Sequence, residues 1–141
     1  MKNIAIVYWS GTGNTEAMAA AVAEGIKNAG AEVTQFTAGE FGPERLADFD
    51  AVAFGCPAMG AEVLEEDEFQ PMFDSCQGKL GGKAIALFGS YGWGDGEWMR
   101  QWEEDCRNAG AELVCDSVIC QEAPDAEAEE ACRRLGAALT E

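Results

Sequence analysis

The sequence predicts an α/β domain in which a parallel sheet of five strands is covered by helices on both faces, and three observations carry that expectation. Apolar, β-rich runs recur at residues 3–9 (NIAIVYW), 32–36 (EVTQF), 50–55 (DAVAFG), 83–89 (KAIALFG) and 112–120 (ELVCDSVIC). These runs are nearly continuous in apolar residues, the pattern of strands buried on both sides, and not the alternation of a half-solvated antiparallel sheet. Amphipathic helical patterns fall between them, so strands and helices alternate along the chain as in a doubly wound fold. No linker, repeat or low-complexity stretch interrupts the 141 residues, and one domain spanning 1–141 is expected.

The first strand run is followed by SGTGNT (residues 10–15) and then by a helix whose apolar face is Met18, Val22, Ile26 and Ala29, with Gly30 placed as a C-terminal cap. After the second run, residues 37–49 (TAGEFGPERLADF) show weak periodicity and one short helix after Pro43. A second helical face reads Phe69, Met72, Phe73 and Cys76; a third reads Trp98, Trp102, Cys106 and Ala109, capped by Gly110; a fourth reads Ala128, Cys132, Leu135 and Leu139. Trp98 and Trp102 stand one helical turn apart among apolar residues and are expected in the core.

Composition excludes several classes of function. Acids outnumber bases 26 to 9, the net charge is −17 and there is no histidine. Nucleic acid and anionic membrane surfaces attract basic patches, so neither is expected as a partner, and a basic protein partner fits better. The cysteines at 56, 76, 106, 115, 120 and 132 form no CxxC pair, and no metal site is expected. Reduced cysteines without a secretory signal or a membrane-length apolar run fit a cytoplasmic protein.

In open sheets of this type ligands bind beyond the carboxyl ends of the strands, and three loops there have unusual compositions. Ser10, Gly11, Thr12, Gly13, Asn14 and Thr15 combine a glycine turn with a helix start, a natural anion site of outward backbone amides. The loop lacks the Gly-Lys pair of a P-loop, and Glu16 stands where a dinucleotide GxGxxG would need glycine. What remains is a set of neutral donors able to surround one phosphate monoester, although a helix cap alone would also place Ser or Asn there. The second loop, CPAMGAE at 56–62, offers Pro57, Ala58, Met59, Gly60, Ala61 and Glu62: a soft apolar wall in Met59 and a hydrogen-bond acceptor in Glu62. The third, SYGWGDG at 90–96, brackets Trp93 between Gly92 and Gly94, after Ser90 and Tyr91, as if the indole packs on something flat.

The segments YWSGTGNTEAM, GCPAMGAEVLEE and ALFGSYGWGDGEWM resemble the signature segments of the short-chain flavodoxins of anaerobic bacteria, in the same order and spacing and over nearly the whole chain. The resemblance implies the flavodoxin-like sheet order 2-1-3-4-5, non-covalently bound flavin mononucleotide (FMN), and the short-chain class, because no long insertion splits the final strand. Residues 10–15 then hold the FMN phosphate, Met59 the inner face of the ring and Trp93 its outer face. Glu62 receives the ring N3–H, backbone groups of Gly60, Ala61, Gly92 and Trp93 line the ring edge, and Ser90 lies near the ribityl chain. The implied role is a low-potential one-electron carrier, not an enzyme. It would be monomeric, meeting basic redox partners transiently at an acidic rim formed by residues 62–68 and 122–130, neither of which contains a Lys or Arg. A small FMN-dependent quinone or flavin reductase is the alternative, and a non-redox binding module a third. The turn Met59–Glu62 is expected to have positive φ at Gly60, its first central residue.

Overall fold

The computed structural model describes residues 2–60, 62–92 and 94–141, so Ala61 and Trp93 lie outside the described residues. β1 (Asn3–Tyr8) leads through the glycine turn into α1 (Asn14–Asn28), and β2 (Glu32–Thr37) follows. Two 3-10 helices, Ala38–Glu40 and Pro43–Asp48, precede β3 (Ala51–Gly55). Then come α2 (Phe69–Gln77), β4 (Ala84–Tyr91), α3 (Glu97–Asn108), β5 (Glu112–Leu113), β6 (Val118–Gln121) and α4 (Ala126–Ala138).

All strand pairings are parallel and run β2-β1-β3-β4-β5, with β6 also on β4. The order is the expected 2-1-3-4-5, but the fifth lane is two short strands where the sequence predicts one. Val114 still donates its N–H to Ile85 O, and the chain then leaves the ladder until Val118 pairs with Phe88. Between them the Ser117 hydroxyl donates to Glu103 on α3 at 2.6 Å, which ties the break to the neighbouring helix.

Side-chain alternation on the strands divides the core into two layers. Ile4, Ile6, Ala51, Ala53, Ala86 and Phe88 face α1 and α4; Ala5, Val7, Val52, Phe54, Ile85 and Leu87 face α2 and α3. On the second side Phe69 and Phe73 each meet the Trp102 ring edge-on, and Trp98 and Trp102 are 2% and 1% exposed, as their helical spacing predicts. On the first side α1 and α4 touch backbone to backbone. A Cβ on Gly25 would stand 2.0 Å from Arg133 O, and one on Gly136 would stand 2.2 Å from Val22 O. The apolar face of α1 is buried at Met18, Val22 and Ile26, whereas Ala29 is an exposed cap residue.

Register places the site. Tyr8 pairs with Gly55 and Gly55 with Phe88, so the loops leaving β1, β3 and β4 emerge side by side at one edge of the sheet.

Candidate functional site

The first loop turns on Gly13, which caps α1 with φ +95°, a conformation that glycine enters without a Cβ penalty. The Ser10 hydroxyl accepts from Gly13 N at 3.1 Å and Glu16 N at 3.3 Å, which pulls the loop into a ring. The backbone N–H groups of Gly11, Thr12, Asn14 and Thr15 have no acceptor among the described residues, and the α1 dipole adds to them as a positive end. Ser10 therefore shapes the ring, while the other amides remain to meet an anion. Thr15 is turned inward: its hydroxyl pairs with that of Ser90 at 3.2 Å, both residues being buried.

The second loop is a hairpin one residue longer than the turn read from the sequence. Met59 N donates to Val63 O at 2.8 Å and Val63 N to Met59 O at 3.3 Å, so the closing pair is Met59–Val63 and not Met59–Glu62. Gly60 has φ +20° and Glu62 φ +56°; a left-handed residue before the closing strand is how three-residue hairpin loops end. Ala61, between them, is outside the described residues. The Glu62 Oε1 atom is buried without a hydrogen-bond partner among the described residues, and it lies 2.3 Å from where a Cβ on Gly94 would sit. A buried carboxylate oxygen without a donor marks a place for an external N–H or O–H.

A cleft brings the three loops together. It is lined by Gly11, Thr12 and Asn14 from the first, Pro57, Ala58 and Met59 from the second, Ser90, Tyr91 and Gly92 from the third, and by Trp9 and Glu122. No Lys or Arg is among these residues. Trp93, the expected outer stacking residue, is outside the described residues.

The sequence marks no role for Trp9 and gives Glu122 a place only in the acidic rim, yet both line the cleft. Trp9 donates its indole N–H to Glu68 at 3.3 Å and covers Gly11, where a Cβ would stand 2.9 Å from the ring. Its position directly before the glycine turn was the available signal. Glu122 has φ +59°, donates its N–H to Tyr91 O at 2.8 Å and places a carboxylate oxygen 3.6 Å from a Cβ on Gly92. No glycine marks that left-handed turn in the sequence.

Glu65 departs from the expected acidic rim. It is 5% exposed, and its carboxylate accepts from the backbone N–H of Asp67, Glu68 and Phe69, each at 2.8 Å. Burial opposes its ionisation, but the three N–H donors outweigh burial and hold the carboxyl below the usual carboxylate range. Glu65 caps α2; Glu66, Asp67 and Glu68 are the exposed members of that run. Among the described residues no group of three or more His, Cys, Asp or Glu is placed to hold a metal ion.

Neutral donors around an anion ring, an apolar wall and an unpartnered acceptor at the switch edge of a 2-1-3-4-5 sheet define a nucleotide-type cofactor domain of the doubly wound class. Residues 6–136 match the family described as Flavodoxin. The chain is 48% identical to a flavodoxin of Clostridium beijerinckii over 93% of this chain and 94% of that one. It is 44% identical to a flavodoxin of Megasphaera elsdenii over 96% of each. The solution structure of two-electron reduced Megasphaera elsdenii flavodoxin superposes with a TM-score of 0.89 over 96% of this chain and 97% of that one. The chain belongs to the flavodoxin family, whose members are FMN-binding electron carriers and not enzymes.

Proposed function

We propose that the cleft between the three loops is the FMN site of this electron carrier, with the phosphate in the ring of Ser10–Thr15 and the flavin ring against Met59, between Gly60–Glu62 and Ser90–Gly94. The observation that supports this placement is the buried Glu62 Oε1, an acceptor without a partner among the described residues, in the same hairpin as Met59, which lines the cleft. FMN supplies the one-electron chemistry when bound. The chain orients it: amides of the first loop hold the phosphate, Glu62 accepts from the ring edge, Met59 excludes water from one face, and Trp93 is assigned the other.

The Glu122 carboxylate in the lining and Glu62 in the adjoining hairpin, with no base among the lining residues, disfavour added negative charge in the cleft, which supports a low-potential carrier. The base beside the third loop, Arg100, is held by Asp95 at 3.0 Å and Glu97 at 2.8 Å. Exposed Glu66, Asp67, Glu68, Glu122, Asp125 and Glu127 form the rim we assign to transient docking of basic redox partners. Among the described residues no helix is long and apolar enough to cross a membrane. A single monomeric domain working in the cytoplasm completes the reading. The reductase alternative is not favoured by the family. Titrating the cofactor-free chain with FMN tests the site: one equivalent should bind, and Glu62→Gln should bind more weakly. Equal affinity in Glu62→Gln would remove Glu62 from the site.

A further inference from the structure

We propose that Cys56 and Glu65 act as positioning residues for the flavin ring, closing the base of the 57–64 excursion whose tip faces it. The proposal rests on the placement of the ring against Met59–Glu62.

The two ends of the excursion meet directly. Glu65 donates its backbone N–H to Cys56 Sγ at 3.3 Å, and the Cys56 thiol in turn points its S–H at Pro57 O, 3.5 Å away. Each end is anchored on a different element. Cys56 is fully buried and continues the sheet by donating its N–H to Phe88 O at 3.1 Å. Its own carbonyl accepts the Trp98 indole N–H at 3.2 Å and stands where a Cβ on Gly89 would come within 2.2 Å. Glu65 is tied to the start of α2: its carboxylate accepts from the N–H groups of Asp67, Glu68 and Phe69 in the turn that leads into the helix, and its carbonyl accepts from Gln70 N at 2.8 Å. The sulfur is therefore the link between a fixed strand end and a fixed helix start. Burial pushes the Cys56 thiol upward, so it stays protonated and keeps both its S–H donor and its weak acceptor.

Above this link the Met59–Val63 pair closes the hairpin, and above that stand Gly60 and the Glu62 oxygen that has no partner among the described residues. Loop closure restricts a segment most when its ends are fixed close together. Opening the link frees the tip to take conformations with Glu62 turned away from the ring. Neither Cys56 nor Glu65 lines the cleft, so their effect passes through the hairpin.

The test compares Cys56→Ala, Cys56→Ser and, as a control, Cys106→Ala, another buried thiol in the same core layer. In the cofactor-free chain, amide hydrogen exchange at Met59 and Val63 should quicken at least tenfold in Cys56→Ala, and less in Cys56→Ser, which keeps an acceptor. Exchange within β3 should be unchanged in both. In the FMN-loaded chain the spacing of the two one-electron potentials should change by a factor of about ten in the corresponding equilibrium constant, roughly 59 mV, in Cys56→Ala but not in Cys106→Ala. Unaltered loop exchange in Cys56→Ala overturns the proposal, as does faster exchange with unmoved potentials. If Cys56→Ala does not fold, Glu65→Ala, which keeps the N–H to the sulfur but removes the carboxylate bonds that fix that end of the excursion, carries the same two measurements with the same expected and overturning results. A parent chain that takes up no FMN removes the ring placement and the positioning role together, and the exchange data then report the loop closure alone.

Discussion

Thr15 Oγ1 and Ser90 Oγ stand 3.2 Å apart in the core, joining the first turn of α1 to the end of β4. Two of the three loops that build the cleft are thus bonded to each other from beneath. One hydroxyl must donate to the other, which leaves a single hydroxyl proton of the pair to point elsewhere. Removing one partner strands the other, so Thr15→Val and Ser90→Ala should each destabilise the cofactor-free chain by about 1–3 kcal/mol in denaturant unfolding. The double variant should lose clearly less than the sum. Strict additivity would show that the two hydroxyls do not communicate.

The phosphate site proposed for the first loop offers amides and hydroxyls, with no base among the cleft-lining residues, and that makes a sharp statement about the phosphate. Riboflavin, which lacks it, should bind far more weakly than FMN. Thr12→Ala should weaken FMN by about 1–3 kcal/mol, the scale of a hydrogen bond to a charged group, and leave riboflavin unaffected. Equal binding of the two flavins by the parent would reduce the loop to a helix cap.

The Glu65 carboxyl lies below its ordinary value of 4.5 in the folded chain. A carboxyl depressed by folding contributes stability that is fully present above the unfolded pKa and is lost as pH falls through the folded one. Parent stability should therefore decline as pH drops below about 4.5, and Glu65→Gln should flatten that decline while lowering stability at neutral pH by about 1.5–3 kcal/mol. Urea unfolding between pH 3 and 7 measures both. Parallel curves for parent and variant would exclude Glu65 as the titrating cap.

The same residue separates capping from docking. Neutralising exposed Glu66 and Asp67 should slow electron transfer to a basic acceptor at low salt, with the difference vanishing near about 0.5 M, where the screening length is short. Glu65→Gln should leave the salt dependence of the rate unchanged. A parent rate insensitive to salt would argue against electrostatic steering.

All six cysteines are free, four buried and two half-buried. Burial pushes the Cys106 and Cys132 thiols up to about 12 and raises Cys115 and Cys120 as well. At pH 8 a thiol reagent should modify Cys115 and Cys120 slowly and the other four only after unfolding. Mass spectrometry of the labelled native chain reads the order, and early labelling of Cys106 would contradict its burial.

Much of the fold was legible because its signals are local. The continuous apolar runs mark β1, β3 and β4, and the helical faces at Phe69–Cys76 and Trp98–Cys106 are buried where periodicity puts them, whereas β2 is an edge strand with only Val33 and Phe36 half-buried. The left-handed caps at Gly30 and Gly110, with φ +87° and +84°, were visible as punctuation. What escaped is set by tertiary bonds. VCDS reads as strand, and the chain leaves the ladder there where Ser117 is bonded to Glu103. Glu65 sits in a run of acids that reads as solvent-facing, yet one member turns inward to three backbone donors. The Thr15–Ser90 pair spans 75 residues and has no local trace. The three loops stand out together in the sequence, but their mutual bonds and the places of Trp9 and Glu122 in the cleft arise only when parallel strands bring their ends to one edge.

The interruption between β5 and β6 makes that flank of the sheet a point of entry for added sequence. Residues 115–117 already leave the β4 ladder, and Asp116 is exposed. Each doubling of a flexible loop adds only about 0.6 kcal/mol of closure entropy, so a graft at Asp116 should leave the ladder intact. From there β6 runs four residues, about 13 Å at strand rise, up to the rim of the cleft. A redox domain fused at Asp116 would be held beside the cofactor at high effective concentration, turning a diffusional encounter into a tethered one.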